Sequence, residues 1–159
     1  MAGTAARRPG VPAASSPEAL RRMRGTGRLD TAPELAVRRE LHRRGLRYRV
    51  EAKVLPSLRR RADIAFTRAR VVVFIDGCFW HDCPIHGTKP KANADFWADK
   101  LAANVARDRD TDKRLEAAGW LVVRAWEHEK PAEVADHLEA VVRGRGSNQA
   151  VTFRTRDGA

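Results

Sequence analysis

Val71-Val-Val-Phe-Ile-Asp-Gly-Cys-Phe-Trp-His-Asp-Cys-Pro-Ile-His86 is the stretch whose reading decides the fold of this chain. Val71 to Ile75 carry no polar face, the pattern of a strand covered on both sides and hence of a sheet with helices above and below it. The apolar run stops at Asp76 and Gly77. The next nine residues hold two cysteines, two histidines and two adjacent aromatic rings. A buried strand that ends in soft metal ligands places chemistry at its end.

Upstream, Leu46, Tyr48, Val50, Ala52 and Val54 alternate with Arg47, Arg49, Glu51 and Lys53, the period of a half-buried strand. Ala62 to Thr67 predicts a second strand, reached through the basic turn Leu58-Arg-Arg-Arg-Ala. Before them, Asp30-Thr-Ala-Pro-Glu34 opens a helix that Gly45 stops; Thr31 with Glu34 three residues later has the form of a capping box. Downstream, Trp97, Leu101 and Val105 recur at helical spacing from about Ala94 to Ala118. Gly119 ends that helix, and Trp120-Leu-Val-Val-Arg-Ala-Trp126 reads as a strand, with Trp120 and Trp126 in the core. Pro131 starts a last helix with Val134, Leu138, Val141 and Val142 inward. The order α-β-β-β-α-β-α predicts an α/β fold, a mixed central sheet flanked by helices.

A length of 159 residues suits one domain, and a hydrophobic fraction of 43% is that of an ordinary globule. Residues 1–20 and 144–159 read as flexible tails around a domain at 21–143. No stretch approaches the roughly 20 apolar residues of a membrane span, and Met1-Ala-Gly-Thr-Ala-Ala-Arg-Arg lacks the apolar segment of a secretory signal, so a cytoplasmic protein is expected. With 31 Lys and Arg against 20 acidic residues the formal charge is +11, which favours a polyanionic partner, nucleic acid before membrane. Most of the excess is arginine in an alanine-rich background, which compositional bias also produces.

Cys78, Cys83 and His86 lie within nine residues, and His128 follows the last strand: two thiolates and two imidazoles, the ligand set of a structural Zn²⁺ site, with His81 a fifth candidate for four positions. Asp63 interrupts an apolar strand, which is costly unless the carboxylate is paired or binds a cation. It either pairs with an arginine at 59 to 61 or holds a hard cation such as Mg²⁺, which takes one or two carboxylates together with phosphate oxygens.

These residues resemble the very-short-patch-repair (Vsr-type) DNA mismatch endonucleases, which share the restriction-endonuclease fold. The likeness spans about Met23 to Arg143 and rests on Met23-Arg24 with Asp30-Thr31, Ala-Asp63-Ile-Ala-Phe, Asp-Gly-Cys-Phe-Trp-His81, Phe96-Trp97 with Lys100, Asn104 and Asp108, Gly119-Trp120 and Trp126-Glu-His128. The resemblance implies that Asp63 is the central Mg²⁺ ligand with the backbone carbonyl of Ile75 as a second. It implies that His81 transfers a proton near the scissile phosphate, leaving zinc to Cys78, Cys83, His86 and His128. Glu34 and Asp76 would hold metal-bound waters, although for Glu34 the capping box is the competing role. Phe79, Trp80 and Trp97 would form a wedge inserted beside a mismatch, where unstacking costs least; the plainer alternative is that they pack over the zinc loop. Met23, Arg24, Asp30 and Thr31 would belong to an arm laid along the DNA.

The chain departs from the usual nuclease motif of this fold, the PD-(D/E)XK pattern, because the strand after Asp63 has no lysine; the Vsr-type relatives are similarly lysine-free. Its loop from Cys78 to Cys83 is short and its last ligand is His128. The expected function is a Mg²⁺-dependent endonuclease that nicks double-stranded DNA beside the thymine of a T:G mismatch. It would act as a monomer, upstream of other repair proteins. A restriction or defence nuclease on other duplexes and a non-catalytic zinc-stapled DNA-binding module are the alternatives.

Overall fold

The structure, a computed structural model, describes residues 16–17, 30–87 and 89–146. Within residues 30–146, among those described, three helices and four strands follow one another in the expected order: α1 (Ala32–Arg43), β1 (Arg49–Ala52), β2 (Ala62–Phe66), β3 (Val71–Asp76), α2 (Ala94–Ala117), β4 (Leu121–Trp126) and α3 (Pro131–Gly146). They form one mixed sheet in the order β1-β2-β3-β4. The first two pairings are antiparallel, whereas β3 and β4 run parallel over their full lengths, from Val71 opposite Leu121 to Asp76 opposite Trp126, with α2 as the crossover.

Both predicted glycine stops are chemically explicit. Gly45 and Gly119 take the left-handed conformation at φ 75° and 85°. After α1, Gly45 N–H donates to the His42 carbonyl and Leu46 N–H to that of Leu41; after α2, Gly119 and Trp120 repeat the pattern on Glu116 and Leu115. These paired bonds satisfy the orphan carbonyls of a helix end, and only glycine takes the required φ without strain. The N-terminus of α1 differs from expectation. Thr31 occupies the cap position, but no side chain caps it, and Glu34 turns to Arg38 instead of closing a capping box.

Alternate residues of β3 serve two cores. Val71 and Val73 pack with Val37 and Leu41 of α1 and Leu138 of α3, while Val72 and Phe74 pack on the other face with Leu115 of α2. All four are essentially sealed from water, as an unbroken apolar strand requires.

The first strand departs from its predicted alternation. Leu46 and Tyr48 lean on the first core, but Ala52 and Val54 pack against the second, and Val50 is 45% exposed. Glu51 between them is left-handed at φ 49°, which breaks the period of two and hands the chain to the other face. Trp126 likewise stands outside both cores, and Trp120 packs against the second only from its edge. Both are half-buried, Trp120 under the Arg70 guanidinium at 5.6 Å and Trp126 stacked on His128 with planes 11° apart. Helix α3 buries Val134, Leu138 and Val141, with Val142 partly covered, and continues to Gly146, past the Arg143 boundary. Among the described residues no helix is long and apolar enough to cross a membrane.

Candidate active site and metal-binding groups

At the end of β3 the antiparallel ladder to β2 gives out and side chains take over. Asp63 Oδ2 accepts the Ile75 N–H at 2.6 Å, so this carboxylate is fixed by backbone rather than by arginine. Arg61 donates to the Glu51 carbonyl and Arg60 reaches Asp108, and among the described contacts no arginine of the preceding turn pairs with Asp63. Glu34 from α1 and Glu51 from β1 complete a group in which one oxygen of each carboxylate lies within 4.8 Å of the others. Burial, with Glu34, Glu51 and Asp76 nearby, pushes the Asp63 carboxyl up to about 7; the Ile75 hydrogen bond works against that shift. Burial and Glu34 also raise Glu51. Glu34 is buried and pairs with Arg38 at 3.3 Å, and Arg38 also reaches Asp30 Oδ1 at 2.5 Å. Three crowded carboxylates, only one of them in a salt bridge with a guanidinium, match the donor set of a hard divalent cation.

A second group lies across the same strand end. His81 Nδ1 is 2.5 Å from Asp108 Oδ2 and 3.7 Å from Asp76 Oδ1. Asp108 projects from α2, and Asp76 is the last residue of β3. Burial raises Asp108, but the His81 hydrogen bond and the charges of Arg124, His81 and Arg60 outweigh it and hold the carboxyl below its usual range. Asp76, the more buried of the two, is pushed up by burial despite Arg124 and His81. A carboxylate on Nδ1 orients the ring and leaves Nε2 as the nitrogen able to exchange a proton with a substrate.

The third group joins Cys78, Cys83, His86 and His128, one ligand atom from each within 4.8 Å of the rest. Cys78 Sγ is 3.1 Å and Cys83 Sγ 3.8 Å from His128 Nδ1, and the cysteines form no disulfide. Tetrahedral coordination with metal–ligand lengths of about 2.0 to 2.3 Å needs ligand separations of this order, so the donors fit zinc. Without a metal, burial and the neighbouring Cys83 push the Cys78 thiol up to about 11. The loop has its own scaffold: Cys83 N–H donates to the Cys78 carbonyl, Cys78 N–H to Glu127 Oε1 at 2.8 Å, and His86 N–H points at Cys83 Sγ. His81, the fifth candidate, falls in the aspartate group and not in this one.

The loop also presents the rings. Phe79 meets Trp80 and Trp97 edge-on at 5.0 and 5.5 Å, and Asn104 of α2 anchors the Trp80 carbonyl. Phe79 and Trp80 are half-buried; Trp97 is 9% exposed and roofs the cluster. Asp30 and Thr31 lie where α1 begins, against Arg38 and Glu34, while Met23 and Arg24 lie outside the described residues.

Comparison with known proteins gives the chain a family. Residues 17–86 match the family model described as DNA mismatch endonuclease Vsr. The type II nicking enzyme V.NaeI of Lentzea aerocolonigenes is 45% identical over 124 residues, 77% of this chain and 73% of that protein. V.XorIIP of Xanthomonas oryzae, also a type II nicking enzyme, is 44% identical over 63% of this chain and 72% of its own. The DNA mismatch endonuclease Vsr of Escherichia coli K12 is 34% identical over 137 residues, 81% of this chain and 86% of that protein. The chain belongs to the Vsr family of DNA endonucleases.

For a Vsr-family enzyme, sequence reasoning passed over three residues of these groups. Glu51 was placed on the solvent face because the alternation of β1 put it there. Asp108 enters the sequence reading only as part of a motif, although it stands seven positions after Leu101 on the buried face of α2, where a carboxylate interrupts the apolar stripe. Arg124 is a single arginine within the strand from Trp120 to Trp126, which by itself marks no site.

Proposed function

We propose that this chain is a Mg²⁺-dependent endonuclease that nicks one strand of double-stranded DNA beside the thymine of a T:G mismatch. The observation that carries the reading is the pairing of His81 Nδ1 with Asp108 next to the Glu34–Glu51–Asp63 carboxylates at one strand end. Asp63 and the Ile75 carbonyl would hold Mg²⁺, with Glu34 and Glu51 beside them; a cation held there would neutralise charge on the phosphate and acidify a water. His81, oriented by Asp108, exchanges a proton through Nε2 as water adds to phosphorus and one P–O bond breaks. Asp76 adds a second carboxylate on the same Nδ1 side of the ring. Cys78, Cys83, His86 and His128 would hold Zn²⁺ and so fix the loop that carries His81, Phe79 and Trp80.

Phe79, Trp80 and Trp97 act as a wedge that enters where pairing is weakest. Met23, Arg24, Asp30 and Thr31 run along the duplex. All three donor groups belong to one chain, so a monomer suffices, and the nick would be passed to other repair proteins.

The names of the relatives support a second reading. Several are type II nicking enzymes, so the substrate could instead be a duplex defined by a restriction system. End-labelled duplexes, one with a T:G mismatch and one fully paired, incubated with Mg²⁺ and then with EDTA, separate the two. A Mg²⁺-dependent nick on the thymine strand of the mismatched duplex alone, abolished by Asp63→Ala with DNA binding retained, is expected. Equal cutting of both duplexes moves the function to restriction or defence. Binding without cutting leaves a zinc-stapled DNA-binding module.

A further inference from the structure

Arg124 lies in the middle of β4, its side chain 14% exposed, with its guanidinium 4.6 Å from the centre of the Phe74 ring. Nε and Nη2 grip the Asp112 carboxylate at 2.7 to 3.1 Å. Nη1 donates to both oxygens of Asp76 at 2.9 and 3.1 Å, and Nη2 also reaches the Asp108 carbonyl at 3.5 Å. One cation therefore ties the end of β3 to two successive turns of α2. Of the two carboxylates that flank His81 Nδ1, it bonds that of Asp76 directly, and it holds Asp108 by its backbone carbonyl, with Asp108 Oδ1 3.7 Å from Nη2.

The fork of a guanidinium can hold two carboxylates in fixed directions at once, which a lysine ammonium cannot. Three aspartates converge here, and Asp76 is only 3% exposed. Without a central cation they would repel, and Asp76 would lose the partner that offsets its burial. Arg60 does not replace it. Its Nη1 lies 3.0 Å from Asp108 Oδ1 but off the hydrogen-bonding direction, and it makes no contact with Asp76 among those described.

We propose that Arg124 is a positioning residue for DNA cleavage: it locks Asp76 and the Asp108 turn of α2 on the Nδ1 side of His81, so that the ring presents Nε2 to the scissile phosphate. The inference rests on the proton-transfer role of His81 given above. It extends that role to a residue whose described partners are Asp76, Asp108, Asp112 and the Phe74 ring.

The test compares Arg124→Lys, Asp112→Asn and His81→Ala with the wild type, using a duplex the wild type nicks. Single-turnover nicking rates, DNA affinity by anisotropy, melting temperature and the His81 tautomer by imidazole nitrogen NMR are measured. Arg124→Lys is expected to bind DNA within about twofold of wild type, to nick at least about tenfold more slowly, and to show mixed Nδ1–H and Nε2–H tautomers where the wild type shows Nδ1–H alone. Asp112→Asn, which loosens one end of the fork without touching His81, is expected to lose several-fold in rate at unchanged affinity. If Arg124→Lys does not fold, Asp112→Asn decides by the same two readouts. Wild-type rate and tautomer in the folded Arg124→Lys protein, with His81→Ala inactive, overturn the inference alone. Full activity of His81→Ala overturns the role on which it rests.

Discussion

Glu51 stands across the antiparallel pair from Asp63. Val50 faces Ile64 and Ala52 faces Ala62, so the two acidic residues are opposite each other between them, with Glu34 closing the third side. Like charges directly opposite in a sheet are unfavourable, and left-handed backbone at a non-glycine residue adds strain at the same point. Both costs fall where a divalent cation would relieve the first.

Glu51→Gln is accordingly expected to shift the Mg²⁺ dependence of nicking, raising the half-saturating concentration about three- to tenfold while leaving the rate at saturating Mg²⁺ within about twofold of wild type. A titration of nicking rate against Mg²⁺ checks this. Superimposable curves would place Glu51 outside the metal site.

The sheet was legible because its signals are local and redundant. β3 is apolar throughout, and the glycines at 45 and 119 each stand after a periodic segment, so strand, stop and crossover could be read from neighbours in the chain. The four soft ligands were legible for the same reason, since three crowd into nine residues. The site's carboxylates were only half legible. Asp63 broke an apolar pattern and drew notice, whereas Glu51 fitted a polar one. Its approach to Asp63 is set by the register of β1 against β2, which no pattern within β1 encodes. The partners of Asp108 and Arg124 depend on the crossover geometry of α2 over the β3–β4 pair, contacts between residues 12 positions apart or more that a periodicity cannot reveal.

Asp108→Asn keeps the size of the side chain and an oxygen for His81 Nδ1 but removes the charge that stabilises a protonated ring. A fall of about a hundredfold in single-turnover nicking rate at unchanged DNA affinity is expected. An undiminished rate would mean that the 2.5 Å contact is structural only.

The Cys78–Cys83–His86–His128 group is expected to hold one zinc per chain, measurable by elemental analysis of protein grown with zinc. Cys83→Ser should lose most of that zinc and melt roughly 5 to 10 °C lower, because a metal that binds only the folded loop adds its binding energy to stability. Protein that contains no zinc and melts unchanged after chelation would assign the cysteines to ordinary packing.

The last expectation concerns pH and follows from the crowding of Asp63. Its carboxyl ionises near 7 in the folded protein, raised first by burial, against 3.8 for the unperturbed group. Before any metal binds, the folded state therefore favours the protonated acid. That stabilising contribution is complete below about pH 4, declines as pH rises through the interval, and is gone above about 7, where folding must bury a charge. Asparagine keeps an acceptor for the Ile75 N–H and carries no charge at any of these pH values. In EDTA, Asp63→Asn should melt close to wild type at pH 4 and above it at pH 8, by on the order of 1 to 2 kcal/mol once the water still reaching a half-buried carboxylate is allowed for. Saturating Mg²⁺ should reverse the order at pH 8, because only the wild type gains stability by binding it. A difference in melting temperature that stays constant from pH 4 to 8 in EDTA would show that Asp63 titrates as an ordinary carboxylate and that its neighbours are not the burden a cation is needed to relieve.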